Sequence, residues 1–265
     1  MHQGAWLLWA LSGGLVAITT TNPFYLLPLL AVAWVVHAAC GRPGPQARSF
    51  RIFLIFGALT ICTRTALVLF LPDIQLGNVV EAGLEGLRLA VLLTIFGAYN
   101  TVSDPFGVLR LSPRRWHEPA LAASLALSIA PRTIAAVATV REAQRMRGIE
   151  VRRFRSFPAL AVPVLETGME EAAMLAESMD ARGHGRGRRS RYRPERWGWQ
   201  ATIVSIACVL AVGVACSALF GDDPSLALSA FPIVWPEVSS LMLLAIVALS
   251  TPALLPLGSP TRKSR

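Results

Sequence analysis

Charged residues are scarce in this chain of 265 residues: they make up 15% of it, whereas 54% of its residues are hydrophobic. The mean hydropathy is +0.51. So few polar side chains cannot cover the surface of a soluble globule. The composition therefore excludes an ordinary soluble domain and indicates an integral membrane protein.

Cysteine and histidine are also rare, with four of each. The cysteines lie in or beside apolar segments without CxxC spacing, so we expect packing residues, and neither a zinc site nor a disulfide framework. The histidines show no HExxH spacing, and the chain lacks a GxxxxGK[ST] phosphate loop. We therefore expect no metal ion or other cofactor, and no ATP site in the chain itself.

Six apolar segments approach the roughly 20 residues that a helix needs to cross the hydrocarbon core. They are 5–20, 23–40, 50–71, 84–102, 197–220 and 233–254. The break at 19–23 fits either a tight hairpin or a re-entrant turn. A further stretch, 119–140, has Arg132 at its centre, which would cost roughly 2.5 kcal/mol or more in lipid. We interpret it as a helix buried against protein or leaving the membrane, and predict an all-α polytopic membrane protein with about six (5–7) transmembrane helices.

Basic residues follow the second and fourth apolar segments and end the chain. In the alternate loops, the charged residues are all acidic. Because arginine-rich short loops stay on the cytoplasmic side, we place both termini in the cytoplasm of a multi-pass protein of the plasma membrane, the inner membrane of the cell. The first apolar run lacks a basic start, so we expect no cleavable signal. The chain then divides into N-terminal transmembrane helices (1–102), a cytoplasmic region (103–196), and C-terminal transmembrane helices with a basic tail (197–265).

The net charge of +9 comes largely from arginines in residues 141–196. A basic segment beside a membrane usually sets topology and contacts anionic lipid of the bilayer. Neither an aromatic-basic platform nor zinc-finger spacing accompanies it, so we expect no nucleic acid partner.

The cytoplasmic region contains two predicted helices that both end in an Arg-Gly pair. The first runs from about Glu118 to Arg147 and the second from about Pro158 to Arg182. The second carries an apolar stripe that includes Leu165 and Met169, a pattern that usually indicates core packing. Glycine ends a helix without a side chain that would block the approach of another protein. Arginine offers a forked, charged hydrogen-bond donor. Two such ends are suited to contact another protein at the membrane surface.

The segments 142–150 and 177–185 resemble the paired Ala-Arg-Gly motifs of the transmembrane T component of energy-coupling factor (ECF) transporters, which are ABC-type importers of vitamins and metal ions. In the first motif, Met146 stands where the family commonly has alanine. The order of elements is also similar: four predicted spans, two long cytoplasmic helices, then closing spans. The resemblance therefore extends over nearly the whole chain.

The resemblance implies a non-catalytic coupling subunit whose two long helices dock on two ABC-type ATPase subunits. ATP-driven motion would pass through these helices to a small membrane substrate-binding (S) subunit, for uptake of a vitamin or of a metal ion, with biotin, cobalt or nickel as natural substrates. The implied ATPase-docking residues are Met146, Arg147, Gly148, Ala181, Arg182 and Gly183. The residues expected to support this interface are Gln144, Arg145, Glu177 and Met179.

Two other classes of protein fit the sequence less well. Glutamates at 166–171 beside the membrane could belong to a transferase acting on a phosphorylated lipid, with arginines holding the phosphate, but paired metal-binding carboxylates are missing. A stand-alone permease would show internal repeats, or ionisable residues deep in several spans. The candidates for such residues are Arg64 and Arg88. For Arg64 we favour pairing inside the helix bundle over a subunit contact.

Overall fold

The computed structural model describes residues 1–41, 45–70, 76–148, 157–184, 197–221, 224–226 and 238–255. Within these ranges the regular structure is helical, which confirms the all-α fold. The α-helices are α1 (Gln3–Thr19), α2 (Pro23–Cys40), α3 (Pro45–Leu69), α4 (Leu76–Val102), α5 (Pro105–Arg110), α6 (His117–Met146), α7 (Phe157–Ala181), α8 (Trp199–Phe220), α9 (Ser240–Leu249) and α10 (Thr251–Leu254). Short 3-10 turns occur at Arg114–Trp116 and Pro224–Leu226.

Two compact units make up the chain. The first, which we call the helix bundle, comprises Met1–Leu111 and Glu195–Arg265. The second, which we call the helix pair, comprises Ser112–Pro194 and contains α6 and α7.

Among the described helices, four are long and apolar enough, by length and composition, to cross a membrane. Their apolar parts are Pro23–Cys40, Arg48–Leu69, Glu118–Met146 and Trp199–Phe220. The helices α1 and α9 are apolar but shorter. These lengths agree with the roughly 20 residues that a span requires, and the chain is a polytopic membrane protein.

Two predicted segments differ from the helices that the structure shows. The segment 84–102 is part of a longer helix, because α4 already begins at Leu76. The segment 233–254 begins outside the described residues, and its described part is divided at Ser250 between α9 and α10. The stretch 119–140 lies in α6. No residue in the most apolar part of α6 is buried.

The core of the helix bundle is formed where α1 packs against α4 and α8, α2 packs against α4 and α9, and α8 packs against α9. Large buried side chains such as Trp9 and Tyr25 alternate there with fully buried alanines such as Ala33 and Ala211. Small residues let helix backbones approach closely, which is the main source of association between helices in lipid. The Trp9 indole Nε1 donates a hydrogen bond to the Leu249 carbonyl at 2.8 Å and so joins α1 to the end of α9.

Residues 20–22 link α1 to α2 through extended backbone that is hydrogen-bonded to the Pro224–Leu226 turn. The Thr20 hydroxyl donates to the Leu226 carbonyl at 2.8 Å, and the Asn22 amide donates to the Ser225 carbonyl at 2.9 Å. Polar backbone at membrane depth must be satisfied by protein groups. The 19–23 break is thus a short link that is anchored to a distant turn.

The helices α3 and α4 pack along each other through glycine. A Cβ at Gly86 would lie 2.8 Å from the Ile61 Cα, so α3 can approach only because that position has no side chain. Nearby, Arg64 Nη1 lies 2.9 Å from Glu85 Oε2. This ion pair confirms the predicted pairing of Arg64.

Candidate functional site

The first Arg-Gly pair ends α6 in a defined backbone conformation. Gly148 has φ +77°, in the left-handed region that glycine enters without the steric penalty of a Cβ. The Arg147 N–H donates to the Ala143 carbonyl at 3.2 Å, and the Gly148 N–H donates to the Arg145 carbonyl at 2.9 Å. Glycine therefore ends the helix immediately after Arg147, as the sequence predicted.

The second Arg-Gly pair ends α7 in the same way. Gly183 has φ +76°, and its N–H donates to the Asp180 carbonyl at 2.8 Å. The His184 N–H donates to the Met179 carbonyl at 2.9 Å. These two bonds form a Schellman motif, which satisfies carbonyls that the end of a helix leaves without a partner. Both helix ends thus place an arginine directly after the last helical residue, followed by a left-handed glycine whose N–H donates to the carbonyl three residues before it.

Both arginines are open to contact. Arg147 and Arg182 are exposed, and neither has a carboxylate oxygen within 4.0 Å among the described residues. A Cβ added at Gly148 or Gly183 would meet no described atom within 4 Å. Met146, next to Arg147, is 81% exposed. Among the described residues, each end therefore offers a guanidinium group with five N–H donors and no carboxylate partner.

The four residues expected to support docking differ in their surroundings. Arg145 and Glu177 are exposed on α6 and α7, and Met179 is half-buried. Gln144 is also half-buried, and its Nε2 donates to the Ala159 carbonyl at 3.2 Å. Gln144 thus contacts α7 of its own unit.

Ala159 is a residue that the sequence interpretation did not single out. Its carbonyl would normally accept from the N–H of residue 163, but that residue is proline, which has no N–H. The signal was therefore present in the sequence as Pro163 inside α7. The identity of the replacement donor depends on how α6 and α7 pack, which the sequence does not show.

The six predicted docking residues form two groups of three. Gln144 contacts the first turn of α7, so the Arg147 end of α6 lies near the beginning of α7. Arg182 follows the last residue of the same helix. At 1.5 Å per residue, the length of α7 from Ala159 to Ala181 is about 30 Å. The helix pair therefore presents two separate arginine ends and not one cluster.

The apolar stripe of α7 is largely exposed. Leu165 is 63% and Met169 is 72% exposed. Core packing within this chain was the wrong expectation for them, because α6 covers only part of α7. Ile134 on α6 is exposed to a similar degree, at 72%. Exposed apolar surface of this kind is typical of contacts with protein or lipid.

Some predicted features lie outside the described residues, including the basic segment 186–196 and the tail 261–265. His184 is exposed. Within the described ranges, no group of three or more His, Cys, Asp or Glu side chains could hold a metal ion.

Comparison with known proteins gives three curated relatives that share one name, energy-coupling factor transporter transmembrane protein EcfT. The protein from Bacillus selenitireducens is 28% identical over 163 residues, which are 55% of this chain and 61% of the relative. The protein from Streptococcus thermophilus is 27% identical over 129 residues, 46% of this chain and 47% of the relative. The protein from Exiguobacterium sibiricum is 27% identical over 158 residues, 49% of this chain and 59% of the relative.

No family model matches the chain. The chain spans about half the length of the curated relatives that it matches. Their shared name supports membrane location and transport, and the apolar helices of the structure agree with it. These relatives confirm the resemblance of the chain to the transmembrane component of energy-coupling factor transporters.

Proposed function

We propose that this chain is the transmembrane coupling subunit of an ECF-type ABC importer. It spans the plasma membrane several times with both termini in the cytoplasm. It transmits the ATP-driven motion of two ATPase subunits to a small membrane substrate-binding subunit, for uptake of a vitamin or a metal ion. The observation that carries this proposal is the pair of exposed Arg-Gly helix ends, Arg147-Gly148 and Arg182-Gly183, whose arginines have no carboxylate partner among the described residues.

Each helix end has the chemistry of a docking anchor. A guanidinium group can pair with a carboxylate through two parallel hydrogen bonds, and burial of such a pair at the centre of an interface makes it a hot spot worth about 2 kcal/mol or more. The left-handed glycine turns the chain away directly after the arginine. The arginine can therefore enter a groove before the rest of the backbone collides with its walls.

The separation of the two ends supports two partners. The Arg147 end lies near the beginning of α7 and Arg182 follows its end, so the two arginines are separated by about the 30 Å length of α7. They are too far from each other to share one pocket, so each end requires its own site. Two ATPase subunits would provide one site each. When ATP binding moves the ATPases, the docked ends move with them, and α6 and α7 carry the displacement along their length.

The exposed apolar surface of the helix pair supports a membrane partner. Leu165 and Met169 form part of this surface on α7. Methionine adapts to irregular neighbours, and alanines on the same helix allow close approach of another helix. A small substrate-binding subunit would pack against this surface and be released from it as the helices move. ATP hydrolysis would take place in the partner ATPases and not in this chain.

The proposal predicts that reversing both arginines prevents docking. The tagged full chain is co-purified in detergent with ATPases encoded in the same genome, as wild type and as Arg147→Glu/Arg182→Glu. Wild type should retain the ATPases, and the double variant should lose them, because two hot spots are replaced by like-charge repulsion. The affinity should fall about 1,000-fold if each anchor contributes about 2 kcal/mol, because every 1.4 kcal/mol is a factor of ten.

Arg115→Glu/Arg141→Glu is the matched control, because both arginines are exposed on the same unit and the change of charge is equal. This control should retain the ATPases. Equal loss in both double variants would point to bulk charge and contradict the two-anchor proposal. A well-folded wild-type chain that retains no ATPase would contradict the coupling function itself.

A further inference from the structure

The hydrogen bond between Gln144 and Ala159 replaces one that α7 cannot make. Ala159 lies in the first turn of α7, and its carbonyl would accept from the N–H of residue 163 in a regular helix. Pro163 provides no N–H. Gln144 Nε2 instead reaches the carbonyl from α6 at 3.2 Å. The proline therefore leaves the Ala159 carbonyl without its regular helix donor, and Gln144 takes that place.

The environment of Gln144 makes this bond important. Its Oε1 atom is buried and has no hydrogen-bond partner among the described residues, so the amide is enclosed between the helices. Leu160, next to Ala159, is the one buried side chain among the described side chains of α6 and α7. Among the described residues, the two helices thus bury little apolar surface completely. The Gln144–Ala159 hydrogen bond is a specific polar contact between them.

The position of Gln144 connects this bond to the candidate site. Gln144 lies three residues before Arg147, about one helical turn from the first arginine end. We propose that Gln144 is a positioning residue, which fixes the direction of the Arg147 end relative to α7 by satisfying the carbonyl that Pro163 leaves free. The consequence for ATPase docking rests on the proposed function, but the geometry does not.

The test uses Gln144→Met, Pro163→Ala and the combination of both. Methionine is unbranched, has a helix propensity close to that of glutamine and cannot donate an N–H. Gln144→Met should leave the Ala159 carbonyl unpaired and loosen the helix pair. In the combined variant, Pro163→Ala restores a backbone N–H at position 163, so the carbonyl is satisfied within α7. The combined variant should recover the fixed orientation of α6 and α7 that Gln144→Met loses.

The geometry is measured without any partner, by the distance distribution between spin labels at Glu142→Cys and Ser178→Cys. Both positions are exposed, and the full chain carries serine at its four native cysteines. The distribution should be narrow with Gln144, broad in Gln144→Met, and narrower again in the combined variant. Its width is compared, and not its mean, because Pro163→Ala also changes the bend of α7.

Affinity for the ATPases is then measured on the same variants. Gln144→Met should weaken docking up to about tenfold, the effect expected when a partly buried carbonyl loses its donor, and the combined variant should bind within about threefold of Pro163→Ala. Equal widths in wild type and Gln144→Met, or no recovery in the combined variant, would overturn the positioning role. If the widths change as expected while wild type binds no ATPase, the positioning role stands and the proposed function fails.

Discussion

Gly148 and Gly183 show how two residues define the geometry of the candidate site. Both lie in the left-handed region of φ, where a side chain is strained, and both follow an exposed arginine. The sequence predicted these two helix ends because the preference of glycine for this conformation is local, and no tertiary contact is needed to express it. Gln144 is the opposite case, because its partner Ala159 is brought near only by tertiary packing.

At the residue scale we expect Gly183→Ala to open the end of α7. Alanine in the left-handed region costs about 1 kcal/mol, so the Gly183 and His184 amides should exchange hydrogen about fivefold faster. Native-state hydrogen exchange of the full chain measures this directly.

Gly168→Ala is the control on the same helix. Gly168 is inside α7, and a Cβ added there would meet no described atom within 4 Å, so alanine is accommodated and should stabilise the helix by about 0.5–1 kcal/mol. Faster exchange at residues 183 and 184 in Gly168→Ala, or unchanged exchange in Gly183→Ala, would contradict the assigned role of Gly183.

At the scale of elements, α3 and α4 depend on close approach. The predicted span 84–102 left out the first turns of α4, where Glu81 interrupts the apolar run, although it included Glu85. In the structure these residues are helical, and Glu85 pairs with Arg64 across the two helices. A charge that a neighbouring helix can pair does not have to mark the end of a span.

Gly86→Ala should destabilise the α3–α4 pair. The added Cβ would lie 2.8 Å from the Ile61 Cα, which belongs to the backbone and cannot rotate away. Overpacking of this kind typically costs about 1–3 kcal/mol. Thermal unfolding in detergent should therefore show a lower midpoint than wild type.

Gly83→Ala, one turn earlier on α4, provides the comparison. A Cβ there would meet only the Thr65 hydroxyl oxygen, at 3.9 Å, which is ordinary contact. The better helix propensity of alanine should leave the midpoint equal to wild type or raise it slightly. If both variants unfold at the same temperature, close packing at Gly86 is not what holds α3 against α4.

At the scale of the whole molecule, the proposed topology assigns the helix pair to the cytoplasm. The sequence predicts this from the distribution of basic residues, which sets the orientation of the spans during insertion. The fold class followed from composition, but the division into two units required knowledge of contacts.

Topology is tested by labelling single cysteines with a membrane-impermeant maleimide, in a chain whose native cysteines are replaced. Glu142→Cys on α6 should react only in inverted membrane vesicles, because the proposed topology places the helix pair in the cytoplasm. Gly221→Cys, at the exposed end of α8, should react in intact cells. Reaction of Glu142→Cys from outside would contradict the proposed orientation.

The exposed apolar side chains of α6 and α7 also affect the stability and abundance of the protein in the cell. Residues such as Ile134 and Met169 are largely exposed among the described residues. Water does not solvate such a surface favourably. A copy of the chain without its partner subunits therefore exposes sites for aggregation and for degradation by quality-control proteases. The steady-state amount of this chain should therefore follow the supply of the subunits that cover the helix pair.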